Sequence, residues 1–205
     1  MNVTPALDAL QKLWRGPLYM VGGAVRDAVL GYSVSDTDLA SPLVAEEVVR
    51  LLQGTTFTAK PNSVKLGTLG IYGMGEKFEY TAFRSDSYAE GGAHRPTAVE
   101  FGVDISDDAK RRDFTCNSVY FDIGNRKFVD PVGGLTDIQK RIIRTARAPE
   151  EVIDEDALRI LRMVRFAAKL GFDLDERLKR AAINMRTGLK NIVPDRIRDE
   201  FVGIL

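Results

Sequence analysis

The stretch from Tyr19 to Leu39, YMVGGAVRDAVLGYSVSDTDL, constrains this chain more than any other. Its pattern is an apolar strand, a Gly-Gly turn, a short helix closing at Gly31, a loop and a second strand. Gly22 and Gly23 leave backbone amides uncovered at a helix start, where an anionic phosphate is well received. Arg26, one turn further on, adds a charge-assisted donor. Asp36 and Asp38 lie two apart in the expected strand, so their side chains share a face. Two carboxylates on one face repel unless a cation sits between them. A hard divalent ion such as Mg²⁺ takes such oxygens and shares them with substrate phosphates. A phosphate turn followed at once by an acidic pair points to metal-dependent nucleotidyl transfer.

The remaining chain supplies a soluble frame. Of 205 residues, 44% are hydrophobic and 28% charged, enough apolar material for one large or two small domains. No apolar run reaches the length of a transmembrane helix, and the N-terminus lacks the basic and apolar regions of a secretory signal. Cys116 is the single cysteine, which excludes an internal disulfide and a cysteine-cluster zinc site. A cytoplasmic protein with no membrane partner is expected. Residues 1–139 carry 14 Lys and Arg against 18 Asp and Glu, and residues 140–205 carry 15 against 11. The second part is mildly basic, as suits RNA or a triphosphate.

Periodicity predicts an α+β chain. Thr4-Pro5 opens a first helix as cap and first residue, and Ser41-Pro42 opens another with Ala45, Val48, Val49 and Leu52 inward. Strands are expected at Phe57–Lys60, Thr68–Tyr72, Phe78–Arg84 and Val99–Gly102. Glu79 then stands as a third carboxylate near Asp36 and Asp38. Residues 84–99 read as a long loop containing His94, the only histidine, expected on the surface. Arg111-Arg112-Asp113 precedes a strand at Ser118–Ile123, and Asp137 is expected to cap a helix just after the Asp130–Gly134 turn. From Glu150 the chain reads as all helix. The main helix is expected at Asp154–Leu170, with Leu158, Leu161, Val164, Ala167 and Ala168 inward. Asp173 with Glu176 should cap the next helix, and the last should start near Pro194 with Ile197, Phe201 and Leu205 inward.

Asp156 and Arg159, three apart on one helix, allow two readings. One is an intrahelical ion pair. The other is a side-chain imitation of a base's pairing edge. The carboxylate accepts from the amino group of cytosine or adenine, and the guanidinium donates to the adjacent ring acceptor. Guanine and uracil present the opposite polarity and leave the pair mismatched, at about 1–3 kcal/mol for each buried polar group. Arg162 and Arg165 follow as phosphate candidates.

In order, GGAVRD, DTD, RRDFTCNSV, DPVGGLTD and EDALRILRMVRFAAKLGF resemble the class II tRNA nucleotidyltransferase (CCA-adding enzyme) and bacterial poly(A) polymerase family, from Tyr19 almost to the end. The resemblance implies a polymerase-beta-like head with a mixed sheet over residues 1–139. An all-α neck comes next over residues 140–205, without the family's body and tail domains, as in a head-and-neck piece of a longer enzyme. It implies triphosphate binding at Gly22, Gly23 and Arg26, and Mg²⁺ at Asp36 and Asp38, with Glu79 as a third acidic position. It further implies ribose recognition and head–neck coupling at Arg111, Arg112, Asp113 and Asn117, and base selection by Asp156 and Arg159. Residues 84–96 match the flexible loop linked to the switch from C to A addition. Expected partners are CTP, ATP and the tRNA 3′ end. Cys116 stands where an aliphatic residue is usual, Ser118 where Ala is common, and His94-Arg95 where two arginines are usual. Poly(A) polymerases of the family carry a basic stretch after the metal pair that TAKPNSVKLGTLGIY lacks, which favours the tRNA enzyme. A poly(A) polymerase, or a nucleotide- or RNA-binding module without transfer activity, are the alternatives.

Overall fold

The computed structural model describes residues 1–34, 36–88 and 96–204, apart from the side chain of Val64. The expectations for His94, for the centre of the 84–96 loop and for Leu205 lie outside the described residues. The elements in order are α1 (Pro5–Leu13), β1 (Tyr19–Val21), α2 (Gly23–Val29), β2 (Asp38–Ser41), α3 (Ala45–Leu52), β3 (Phe57–Ser63), β4 (Thr68–Gly73), β5 (Glu76–Ala82), β6 (Arg84–Ser87), β7 (Ala98–Phe101), α4 (Ile105–Lys110), β8 (Tyr120–Asp122), β9 (Lys127–Val129), α5 (Gly134–Lys140), β10 (Ile142–Ile143), α6 (Pro149–Glu155), α7 (Arg159–Leu170), β11 (Asp173–Leu174), α8 (Glu176–Met185) and α9 (Pro194–Val202).

A mixed sheet runs β3-β4-β5-β2-β1-β8-β9, with β2 and β5 parallel and its other neighbours antiparallel. Side chains alternate across it. Met20, Leu39 and Phe121 join the large core, whereas Val21, Ala40 and Tyr120 join a smaller cluster with Phe83 and Ala109. β6 and β7 form a separate two-stranded ribbon.

Register fixes where chemistry can gather. Val21 lies opposite Asp38, and Asp38 opposite Glu79. The exit of β1 into the Gly22 turn and the entry of β2 therefore share one end of the sheet. Asp36 lies before β2 rather than within it, so the expected two-apart strand pairing of the two aspartates is not formed by strand geometry.

Other expectations shift for physical reasons. Ser41 does not open α3. It ends β2, fully buried, where its hydroxyl accepts from the Trp14 indole at 3.0 Å and meets the Tyr80 hydroxyl at 2.8 Å. α3 begins three residues past Pro42, its first turn closed by the Val44 amide donating to Glu47 at 3.0 Å. Asp137 is not a cap. It is buried within α5 and accepts from Thr115 Oγ1 at 2.6 Å. Asp130 instead accepts from the Gly134 and Leu135 amides at 2.8 and 2.9 Å.

The C-terminal part is not wholly helical. Asp173 and Leu174 form β11, pairing in parallel with β10, and Asp175 rather than Asp173 caps α8. Extended backbone at Asp156 (φ −151°, ψ 101°) breaks the single helix expected at Asp154–Leu170 into α6 and α7. α7 is also rotated from the expected stripe. Ile160, Met163, Phe166 and Leu170 are buried, while Val164 is exposed. On its other side Leu158 and Leu161 pack with Ile192 and Ile197, so α7 lies between the main core and α9. In α9 the buried residue is Glu200, and Phe201 faces solvent at 53% exposure. The large core includes Leu10, Phe78, Phe166 and Leu178, so packing runs unbroken across residue 139.

Candidate functional site

A cleft of about 500 Å³ opens between the sheet end and the C-terminal helices, within the size range of small-ligand sites. Gly22, Gly23, Arg26, Asp38, Arg111, Arg112, Asp113, Asn117, Asp156, Arg159 and Arg162 all line it. Residues up to 140 apart in sequence thus meet in one place. Asp36, Glu79 and Arg165, expected with them, are not among the lining residues. Glu79 is 59% exposed on its side chain and pairs with Lys77 at 3.4 Å.

Gly22 is required twice over. Its backbone (φ 79°, ψ −144°) occupies a region reserved almost wholly for glycine. A Cβ there would also lie 3.2 Å from Asp38 Oδ2. The phosphate-type turn therefore lies directly against the first carboxylate of β2. Burial raises the pKa of Asp38 and Arg112 opposes the shift, while the neighbouring charges of Glu79 and Asp36 add to it. A half-buried carboxylate under pressure from two others is what a hard cation relieves, and the oxygen donors suit Mg²⁺. Among the described residues no group of three His, Cys, Asp or Glu is arranged as a preformed metal site, so the fit is to an ion shared with phosphate oxygens.

The paired arginines are organised by a residue the sequence reading missed. Asp108, on α4, is completely buried. Its Oδ1 accepts from Arg111 Nε at 3.0 Å, and its Oδ2 from Arg112 Nη2 at 3.0 Å and from the Tyr120 hydroxyl at 2.6 Å. Burial pushes its pKa up, but Arg112 and Arg111 override this and bring it down to about 2. Asp108 stands three and four residues before these arginines, a helical spacing visible in the sequence.

A second chain of contacts ties the two parts of the protein together. Arg26 donates to Asn117 Oδ1 at 2.6 Å, and Asn117 donates to Asp113 Oδ1 at 3.1 Å. Asp113 Oδ2 accepts from Arg162 Nε and Nη2 at 3.0 and 2.5 Å. Burial works to raise the Asp113 pKa, but Arg162 and the other donors lower it. Glu200 then pairs with Arg162 at 3.4 Å and with Arg165 at 2.6 Å. The guanidiniums of Arg26, Arg162 and Arg165 lie 5.4, 5.5 and 4.5 Å from the centre of the Phe166 ring. Arg165 is thus a structural partner of Glu200 and Phe166. Arg26 and Asp113 face the cleft but also serve as links.

The break at Asp156 shapes the other end. Asp156 Oδ1 accepts from the Leu158 amide at 3.0 Å, which fixes the carboxylate. Arg159 pairs with Glu155 at 2.8 Å, not with Asp156. It also donates to Val152 O at 2.9 Å and Arg111 O at 3.1 Å. Three acceptors thus orient a planar group that carries five N–H donors. The intrahelical ion-pair reading is not formed. What is formed is a fixed acceptor beside a fixed donor. Arg196, from α9, lies 3.6 Å from Asp156 Oδ2 and also lines the cleft. With Phe166, and with Arg84, Asp86 and Tyr88, which the sequence reading placed only within the 84–96 loop, it completes the cleft lining.

Residues 18–144 match the family model of the Poly A polymerase head domain. The CCA-adding enzyme of Geobacillus sp. (strain WCH70) is 38% identical over 187 residues, covering 91% of this chain and 45% of that protein. The crystal structure of Bacillus stearothermophilus CCA-adding enzyme in complex with CTP matches with a TM-score of 0.85 at 31% identity, over 98% of this chain and 49% of that one. A tRNA nucleotidyltransferase complexed with a primer tRNA and an incoming ATP analog matches with a TM-score of 0.73 at 27% identity, over 90% of this chain and 52% of that one. The chain spans about half the length of the curated relatives it matches.

Proposed function

The chain belongs to the poly(A) polymerase head-domain family, and on that premise we propose that it is the head and neck of a cytoplasmic enzyme adding C and A to the 3′ end of tRNA from CTP and ATP. The observation that carries this reading is the position of Asp156 and Arg159 in the same cleft as the Gly22–Gly23 turn and Asp38. A base at one end and a triphosphate at the other is the arrangement that selection without a nucleic-acid template requires.

The residues divide the work by chemistry. The backbone amides at Gly22 and Gly23 receive triphosphate oxygens, and Arg26, Arg111 and Arg112 supply positive charge along the cleft. Asp36 and Asp38 would hold Mg²⁺, with Glu79 nearby as a third acidic group. When bound, Mg²⁺ supplies charge stabilisation for an in-line attack of the RNA 3′-hydroxyl on the α-phosphate and for the departing pyrophosphate. Asp113 and Asn117 hold the two parts in register, and Arg162 anchors the neck side. Asp156 accepts from the base amino group, while the N–H donors of Arg159 left by its three backbone and carboxylate partners meet the ring acceptor. Because both are fixed before a base arrives, guanine or uracil finds no rearrangement that repairs the mismatch. The closeness of the two parts and the shared core support treating residues 1–139 and 140–205 as one working unit.

The test incubates the protein with a tRNA lacking its terminal CCA and with each nucleotide singly and together. Incorporation of C and A that stops after three residues is the expected result. A long A tail would instead assign poly(A) synthesis. Nucleotide binding with no incorporation would assign the chain as a binding module or as a piece whose transfer needs the rest of the enzyme.

A further inference from the structure

A base recognised only along its edge remains wet on both faces. Edge hydrogen bonds replace hydrogen bonds to water and so bring little net affinity. The cleft offers two aromatic side chains, Tyr88 and Phe166. Phe166 is committed, because Arg26, Arg162 and Arg165 all lie over its ring and Phe114 packs edge-on at 5.9 Å. Among the described residues, no ring or guanidinium is recorded over Tyr88. It lines the same cleft as Asp156 and Arg159.

Tyr88 is also well supported. It directly follows β6, whose strand pairing runs from Arg84 with Phe101 to Ser87 with Ala98. Asp86, 3% exposed on its side chain, pairs with Arg84 at 2.9 Å and lies 3.8 Å from Arg111. The Arg84 amide donates to Asp108 at 3.3 Å, and its guanidinium donates to Leu66 O. The root of the ribbon is thereby fastened to the same buried carboxylate that holds the paired arginines.

We propose that Tyr88 is the stacking platform for the base whose edge is read by Asp156 and Arg159, held at its place by the Arg84–Asp86–Arg111 cluster. The inference rests on the base-reading role given above and adds to it a positioning residue that acts on the face rather than the edge. A ring face serves cytosine and adenine alike, so Tyr88 contributes affinity and not choice. Stacking of a base on an aromatic side chain contributes about 5- to 150-fold in affinity.

Calorimetry of the 205-residue chain with Mg²⁺ tests this, using CTP, ATP and ribose 5-triphosphate, which lacks a base. Tyr88→Leu should weaken CTP and ATP by about 5- to 150-fold and leave ribose 5-triphosphate unchanged. Tyr88→Phe, which keeps the ring, should stay within about twofold of the parent for all three. Circular dichroism establishes that each variant is folded, and Tyr88→Phe with Tyr88→Trp keeps the test usable if Leu is not tolerated. Parent-like CTP and ATP binding by Tyr88→Leu overturns the proposal. So does an equal loss for ribose 5-triphosphate, which assigns Tyr88 a structural role. Asp156→Ala, measured alongside, separates the two ideas. If it retains the parent's preference for CTP and ATP over GTP and UTP, the base-reading role itself fails, whatever Tyr88 does.

Discussion

Replacing Asp108 with Asn removes one negative charge from a fully buried position between two guanidiniums. The native carboxyl titrates at about 2 against an ordinary 3.8. That difference corresponds to about 2–3 kcal/mol in favour of the folded state. Because the folded pKa is the lower one, this stability is complete above the unfolded value and is lost as pH falls through about 2. The substitution costs more than this, since Arg111 and Arg112 are left without their shared partner. Removing one member of a buried ion cluster costs about 3–5 kcal/mol. For a chain of this length that is a fall in melting temperature of roughly 6–20 °C. Urea denaturation at pH 7 should show the loss as a lower midpoint with unchanged slope. Repeated between pH 4 and pH 2, the gap between parent and variant should narrow. A loss below about 1 kcal/mol at pH 7, or a gap independent of pH, would refute the reasoning.

Other perturbations test separate parts of the account. Gly134→Ala places a Cβ into the Thr115 carbonyl oxygen and 2.7 Å from Val119 Cγ2, so it should cost about 1–3 kcal/mol in chemical denaturation. Glu200→Gln removes the charge shared by Arg162 and Arg165 and should lower stability by about 1–3 kcal/mol, with weaker nucleotide binding measured by calorimetry. Asp36→Asn should abolish incorporation in a primer-extension assay while circular dichroism stays unchanged; retained activity contradicts the metal assignment.

The cleft was legible where residue type and spacing are tied to chemistry. Gly22-Gly23, Asp38, the paired arginines and the Asp156–Arg159 pair all meet there, although they lie far apart in sequence. What the sequence hid was the scaffold that holds them. The apolar period of residues 154–170 looks unbroken, yet Asp156 turns its own carboxylate onto the Leu158 amide and stops the helix, as Asp side chains do in turns. Glu200 sits between Ile197 and Phe201 in an apolar-looking stripe but is drawn inward by two arginines of α7. Phe201 is then left outside. Asp108 could have been found from its helical spacing to Arg111 and Arg112. Arg84, Asp86 and Tyr88 entered only as part of the 84–96 loop segment, because it takes the pairing of β6 with β7 and the approach of Arg111 to carry them to the site.

A crystal of this chain soaked with CTP and Mg²⁺ measures the central claim directly. The account predicts the cytosine amino group on Asp156 Oδ2 in place of Arg196, the ring acceptors on Arg159, and the metal between the triphosphate and the pair Asp36 and Asp38. A base bound away from α6 and α7, or metal density elsewhere, would contradict it.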